Sequence, residues 1–175
     1  KSRARDEAQV VLIEGPRMAG ELSQDPGWRT KIEKIYLSES YAAKNKSGCE
    51  SLENTAPVEI LSDPVFAHVS GTKTPQGILA VVKRKTYNMS DILGNDPEHT
   101  HVLILDNLQD PGNMGTIFRT AEAAGVTGII LSRDCVDIYN PKVVRSTMGA
   151  VLSMPFLYVD DLPGTIGELK TAGIK

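Results

Sequence analysis

A short apolar block runs directly into a turn and a helix between residues 101 and 125, and this succession constrains the fold more than any other feature. The block Val102–Leu105 is continuously apolar, which predicts a strand buried on both faces. Residues 107–112 combine Asn, Asp, Pro and Gly and predict a turn. An apolar stripe at helical spacing then continues to Gly125, and residues 126–131 predict a second strand. Strand, helix and strand predict a βαβ unit, whose ligands bind beyond the carboxyl ends of the strands.

The predicted helix opens at Asn113, in the position of an N-cap, with the residues Asn-Met-Gly-Thr-Ile-Phe-Arg-Thr-Ala. This segment resembles the first signature motif, N-x-G-x-x-x-R-T/S-A, of the SpoU/TrmH branch of the SPOUT RNA methyltransferases. The matching positions include Asn113, Gly115, Arg119 and Ala121.

Further stretches extend this resemblance. Residues 140–145 and the Met-Gly-Ala of residues 148–150 resemble the segment that follows the motif in this family, with Thr147 where relatives usually carry Ser. Upstream, residues 12–17 and 74–82 resemble the opening and closing segments of a substrate-binding domain that often precedes the catalytic domain. The resemblance therefore spans nearly the whole chain.

The resemblance implies an enzyme that moves a methyl group from S-adenosylmethionine to a ribose 2′-hydroxyl of structured RNA, with rRNA expected and tRNA less favoured. It also implies a homodimer formed through the SPOUT domain. In the family, two later motifs build the methyl-donor pocket and the knot, and we expect them beyond Lys175. The chain is then expected to be an inactive fragment of a longer methyltransferase, with its cofactor-binding residues unassigned.

The expected fold class is α/β, in two domains. Residues 1–85 alternate short strands and helices as in a small α/β sandwich, which the resemblance makes an L30e-like RNA-binding domain. Residues 86–100 are polar and rich in turn formers, which predicts a linker. Residues 101–175 are predicted to be the N-terminal part of a SPOUT parallel-sheet domain. In the first domain we predict strands at 10–13, 34–38 and 78–82 and helices at 16–23 and 63–69.

Arg119 and Asn113 are the predicted catalytic residues. A guanidinium is a rigid fork that suits a phosphate, and it stays protonated unless its surroundings change it, so we favour Arg119 as a phosphate clamp and hydroxyl orienter over a general base. Asn113 could position the arginine or the RNA, or only cap the helix. Arg119 in an arbitrary helix would be a surface salt-bridge residue, but the motif argues against that interpretation.

Seven further residues are predicted to bind substrate or RNA. Six of them have a structural alternative: close packing for Gly115, a turn and a solvated helix start for the three residues within 140–145, and a local ion pair for Glu14 with Arg17. Three aromatic residues, Trp28, Tyr36 and Phe66, fit the core better than base stacking. The seven are Gly115, Asn140, Lys142, Arg145, Thr147, Glu14 and Arg17.

Charge limits how RNA could be bound. The formal net charge of −3 and the isoelectric point near 5.6 argue against non-specific coating of nucleic acid, so binding must use local patches. Each patch could equally be ordinary solvated charge. The candidate patches are residues 1–5, the set Arg17, Arg29, Lys31 and Lys34, and residues 83–85.

The remaining composition narrows the class of protein. Two distant cysteines, Cys49 and Cys135, fit a reducing compartment, and the three histidines lack metal-ligand spacing, so we expect no metal. No apolar run is long enough for a membrane span, so no membrane partner is expected. The expected compartment is the cytoplasm for a bacterial protein, or an organelle for a eukaryotic one.

Two rival functions compete with the enzyme. The first is a non-catalytic RNA-binding protein built on the L30e-like unit and a degenerate or truncated SPOUT scaffold. The joint presence of Asn113, Gly115 and Arg119 favours the enzyme, because a degenerate copy has no reason to keep all three. The second, a dinucleotide oxidoreductase, fails because no G-x-G-x-x-G follows a strand.

Overall fold

The computed structural model describes residues 2–70, 72–94 and 99–174. These residues form two compact units, unit 1 at Lys1–Arg84 and unit 2 at Lys85–Lys175. Lys1 of the first predicted basic patch and residues 95–98 of the predicted linker lie outside the described residues.

Unit 1 is an α/β fold around a mixed four-stranded sheet in the order β1-β4-β2-β3. The β4 strand runs antiparallel to β1 and β2, and β2 runs parallel to β3. Trp28 and Phe66 are each only 1% exposed, so both belong to the core as expected. The elements are α1 (Ser2–Ala8), β1 (Val10–Glu14), α2 (Pro16–Gln24), α3 (Pro26–Arg29), β2 (Ile32–Ser38), α4 (Glu39–Lys44), α5 (Lys46–Glu53), β3 (Val58–Leu61), α6 (Asp63–Ser70) and β4 (Ile78–Lys83).

Unit 2 is built on a three-stranded parallel sheet in the order β5-β6-β7. The central strand β6 is buried at every residue, because it is rich in Ile and Leu and is paired on both sides. Its elements are α7 (Met89–Leu93), β5 (Val102–Leu105), α8 (Pro111–Ala123), β6 (Gly128–Ser132), α9 (Pro141–Ser146), α10 (Ala150–Ser153), β7 (Phe156–Val159) and α11 (Leu162–Thr171).

Three local predictions about unit 2 were wrong. Strand β5 is half-buried at all four residues, because in the described sheet it pairs only with β6. Helix α8 begins at Pro111, and Asp110 caps it by accepting a hydrogen bond from the Asn113 backbone N–H at 2.7 Å. The predicted linker contains α7, whose Asn88 forms a capping box and whose Ile92 is fully buried.

Candidate functional site

Arg119 lies on the solvent side of α8, opposite the residues that anchor the helix in the core. Met114 and Phe118 are fully buried, and this places Arg119 at the surface. Its Nη1 donates to the Met148 thioether at 2.8 Å, and its Nη2 donates to the Thr116 hydroxyl at 3.4 Å. Among the described residues no carboxylate pairs with Arg119. The guanidinium therefore keeps an unneutralised charge beside neutral partners.

Gly115 allows α8 and α9 to approach each other closely. A Cβ at this position would lie 2.5 Å from the backbone carbonyl carbon of Ser146, on α9. The Ser146 hydroxyl lies 2.8 Å from the carbonyl oxygen of Pro111, at the start of α8. The structure thus agrees with the close-packing alternative given for Gly115, and its contact with substrate stays a prediction. This packing brings the end of α9 next to Arg119.

Helix α9 places its predicted RNA-binding residues differently. The Asn140 side chain caps the helix by accepting from the Lys142 backbone N–H at 2.9 Å. Lys142 and Arg145 are exposed. Thr147 is completely buried, and its hydroxyl donates to the Val144 carbonyl at 2.7 Å. The prediction of an RNA contact at Thr147 was therefore wrong, because the chain turns inward at the end of α9.

Met148 is a site residue that the sequence did not assign a role. It is 51% exposed, and its φ of 51° places it in the left-handed region. A non-glycine residue in this region is uncommon and is found more often at functional sites. Its thioether contacts Arg119 across 29 residues of sequence. The only sequence signal was its position beside Gly149 in the Met-Gly-Ala segment.

In unit 1 the two segments that resembled the substrate-binding domain lie side by side, because β1 pairs with β4 and Glu14 faces Leu79. Glu14 accepts hydrogen bonds from the hydroxyls of Ser70 at 2.8 Å and Thr72 at 3.2 Å, and from the Gln76 backbone N–H at 3.3 Å. Glu14 therefore holds the loop between α6 and β4.

Four cations of the predicted basic patches form ion pairs with carboxylates. Arg17 pairs with Glu21 at 3.1 Å, so the alternative of a local ion pair between Arg17 and Glu14 does not hold. Arg84 pairs with Asp6 at 2.6 Å. Two further pairs join Lys34 with Glu59 and Lys83 with Glu33.

The described residues also bear on metal and membrane sites. No group of three or more His, Cys, Asp and Glu side chains there could hold a metal ion. None of the helices described combines the length and the apolar character that a membrane span requires.

Unit 2 thus combines a parallel sheet with a helix, between β5 and β6, whose exposed arginine has no carboxylate partner among the described residues, as the resemblance of the sequence led us to expect. Residues 100–175 match the SpoU rRNA Methylase family, and residues 1–80 match the MRM3-like substrate binding domain. Residues 100–175 therefore form a domain of the SpoU rRNA methylase family, and the residues before them include a substrate-binding domain of the MRM3-like type. The family and the fold class predicted from the sequence are thereby confirmed.

Similar proteins include a bacterial and a mitochondrial rRNA methyltransferase. The chain is 31% identical over 174 residues to the 23S rRNA (guanosine(2553)-2′-O)-methyltransferase RlmP of Bacillus subtilis. The aligned segment covers 99% of this chain and 63% of that protein. It is 29% identical over 160 residues to the human mitochondrial rRNA methyltransferase 3, covering 90% of this chain and 37% of that protein. The chain thus spans less than two thirds of the length of these curated relatives.

Solved structures agree on the fold. The AdoMet-bound rRNA methyltransferase from Sinorhizobium meliloti superimposes with a TM-score of 0.73 at 25% identity, covering 90% of this chain and 57% of that one. The AdoMet complex of the SpoU methyltransferase AviRb from Streptomyces viridochromogenes has a TM-score of 0.79 at 21% identity, over 99% and 64% of the two chains. The second likeness concerns the fold alone.

Proposed function

We propose that the whole protein methylates the ribose 2′-hydroxyl of a nucleotide in rRNA, with S-adenosylmethionine as the methyl donor. The family membership supports this, as do the name of the Bacillus subtilis relative and the AdoMet bound in the Sinorhizobium meliloti structure. The observation that carries the proposal is the exposed Arg119 guanidinium, which has only neutral partners among the described residues.

Arg119 is suited to hold a phosphate next to the reacting hydroxyl. Its present acceptors, a thioether and a hydroxyl at 3.4 Å, are neutral, whereas phosphate oxygens carry charge and can accept two parallel bonds from the guanidinium fork. A phosphate held in a fork fixes the orientation of its nucleotide, and such positioning lowers the barrier to transfer. We assign Arg119 the role of phosphate clamp and hydroxyl orienter, with Asn113 exposed in the first turn of the same helix.

The bound donor supplies an electrophilic methyl group on a sulfonium. Among the described residues, no buried side-chain nitrogen or oxygen lacks a hydrogen-bond partner. At the carboxyl ends of β5 and β6 the polar groups bond to each other, as the Asn107 backbone N–H does to the Ser132 hydroxyl at 2.9 Å. We therefore assign no donor-binding role to any of the described residues.

The remaining assignments concern RNA contacts, assembly and compartment. We propose Lys142 and Arg145 as RNA contacts because both are exposed on helix α9, which packs against α8 through Ser146. We also propose that the whole protein forms a homodimer through its SPOUT domain, which sedimentation equilibrium can test. The compartment proposed is the cytoplasm of a bacterium or an organelle, as for the bacterial and mitochondrial relatives.

The direct test is methyl transfer by the whole protein. Ribosomal RNA is incubated with the protein and tritiated S-adenosylmethionine, digested to nucleosides and separated by chromatography. We expect tritium in a 2′-O-methylribonucleoside. Tritium confined to base-methylated nucleosides would contradict the proposed chemistry, and RNA binding without any transfer would favour the non-catalytic rival.

A further inference from the structure

Unit 1 contains a cavity of about 360 Å³ between α2 and α5. Residues 16, 19, 20, 23 and 24 line it from α2, and residues 48, 51 and 52 line it from α5, so each helix contributes one face at helical spacing. Tyr41 and Ile78 complete the apolar part of the wall, and Arg29 lines it as well. Its volume lies within the range of about 300–1,000 Å³ that is typical of small-ligand pockets.

Two helical glycines leave this cavity open. A Cβ added at Gly20 or at Gly48 would meet no atom within 4 Å. Glycine is the least favourable helix residue after proline, and neither position needs it for close packing or for a positive φ. The contrast with Gly115, where Ser146 fills the space, shows that these two glycines create volume instead of allowing contact.

The cavity also carries polar groups that the described fold does not use. Within the described residues, the side-chain amide of Gln24 and the hydroxyls of Ser51 and Tyr41 have no hydrogen-bond partner. Burial raises the pKa of the Tyr41 hydroxyl above its ordinary value, so this hydroxyl stays protonated and can donate. Arg29 donates one bond, from Nη2 to the Asn54 carbonyl at 3.1 Å, and no described carboxylate neutralises it.

We propose that this cavity receives one unstacked nucleobase of the RNA substrate, with Arg29 close enough to contact the same nucleotide. A base needs apolar walls for its faces and a few donors and acceptors for its edges, and the wall beside Tyr41 and the groups of Gln24 and Ser51 provide both. Sequence-specific RNA recognition uses bases that are splayed out and stacked on aromatic rings or guanidinium planes. The inference rests on the proposed function in taking RNA as the substrate of this domain.

The test fills the cavity without disturbing the fold. Gly20→Leu and Gly48→Leu add a strong helix former that projects into open space, and Gly167→Leu is a matched control, because Gly167 lies in helix α11 of unit 2 and a Cβ there also meets nothing within 4 Å. Binding of the chain is measured by fluorescence anisotropy at fixed salt, with three labelled probes of equal length. These are a single-stranded RNA of mixed sequence, an RNA duplex, and a strand of abasic ribose phosphates.

We expect both cavity variants to bind the single-stranded RNA about tenfold more weakly or worse, equivalent to about 1.4 kcal/mol. Their affinity for the abasic strand and the duplex should equal that of the unmodified chain, and Gly167→Leu should change nothing. Gln24→Ala, at an exposed residue, should weaken the same probe to a smaller degree without altering the melting curve. Unchanged single-strand affinity in the folded variants overturns the inference, as does an equal loss for the abasic strand.

Failure of this inference can be told apart from failure of the proposed function. Methyl transfer to rRNA is measured with the whole protein carrying the same substitutions. Loss of single-strand binding in the variants, with no transfer by the unmodified protein, would overturn the function and leave the nucleobase site standing. Normal transfer and normal binding by the variants would overturn the nucleobase site alone.

Discussion

The two units differ in how the residues predicted from sequence behave in three dimensions. In unit 2 the motif residues converge, since Gly115 admits Ser146 and this packing brings Met148 to within 2.8 Å of Arg119. In unit 1 the predicted residues separate, since Glu14 holds the loop that follows α6 while Arg17 pairs with Glu21.

This difference teaches what kind of sequence signal locates a site. Fixed spacing on a helix that follows a parallel strand specifies positions in space, because the geometry of the βαβ unit leaves few alternatives. A cation in a basic run specifies nothing comparable, because any nearby carboxylate can neutralise it. An unneutralised charge such as that of Arg119 becomes visible only in the structure.

The largest expected effect comes from removing that charge. Arg119→Ala in the whole protein should lower the kcat/KM of methyl transfer on the order of 10²–10³-fold, as expected when a single charge-stabilising donor is lost. Arg17→Ala is the matched control in unit 1 and should lower it by less than about threefold, because an exposed pair contributes little. Methyl incorporation into rRNA measures both.

Because Arg119 is exposed, its removal should leave the thermal midpoint nearly unchanged. The contrast between the units would be broken if Arg119→Ala retained wild-type turnover, or if Arg17→Ala lost as much activity as Arg119→Ala.

A pair of glycine substitutions sharpens the contrast in packing. Gly115→Ala should lower the free energy of unfolding by about 1–3 kcal/mol, because its Cβ would lie 2.5 Å from the Ser146 backbone and the helices α8 and α9 would have to separate. Gly20→Ala should raise it by about 0.5–1 kcal/mol, because its Cβ meets nothing within 4 Å. Urea denaturation measures both. A stabilising Gly115→Ala would show that the two helices are not in close contact.

Two tyrosine substitutions compare how much a hydroxyl group stabilises each unit. The Tyr158 hydroxyl in unit 2 donates to the Val136 carbonyl at 2.7 Å and accepts from the Ile138 backbone N–H at 3.0 Å. Tyr158→Phe should therefore cost about 1–3 kcal/mol of unfolding free energy, because it leaves the Ile138 N–H without its partner. Tyr41→Phe in unit 1 should be nearly neutral in the absence of RNA, because the described residues give that hydroxyl no partner.

The loss of folding stability at alkaline pH tests the same Tyr158 hydroxyl. Burial raises the pKa of Tyr158 in the folded state. Its contribution to stability is fully present below the unfolded pKa of about 10 and is lost as the pH rises further, because only the unfolded chain can then ionise. Tyr158→Phe should lose less stability than the unmodified chain above that pH. An identical alkaline decline in both proteins would contradict this role.

The sequence could predict α8 and β6 because their signals are local: an apolar stripe, a glycine after its end and a continuous apolar run. It misplaced the start of α8 because Pro111 was assigned to the turn, although proline is common at the first position of a helix. It could not predict the half-buried state of β5, which depends on what lies beside the strand. The burial of Thr147 and the contact of Met148 with Arg119 also escaped it, since both depend on a left-handed turn at Met148 and on packing between distant helices. The cavity in unit 1 escaped because Gly20 and Gly48 have no local pattern in common.

The smallest expected effect concerns a hydrogen-bonded carboxylate in unit 1, which responds to acid pH. The anchoring group compared with it in unit 2, the Tyr158 hydroxyl, does not ionise in that range. Asp63 accepts hydrogen bonds from the Ser40 hydroxyl and from the Ser40 backbone N–H, the second at 3.1 Å. These bonds lower the pKa of the Asp63 carboxyl below its ordinary value of 3.8. The resulting stability is present above the unfolded pKa and is lost as the pH falls through the lower folded value. The amide proton of Ser40 should therefore shift in NMR spectra recorded below about pH 4, and Asp63→Asn should abolish that shift.

The Ile138 amide should not respond in this range, because its acceptor is a tyrosine hydroxyl. A Ser40 amide that titrates unchanged in Asp63→Asn would show that another carboxyl is responsible, and the proposed difference in acid sensitivity between these two anchors would not hold.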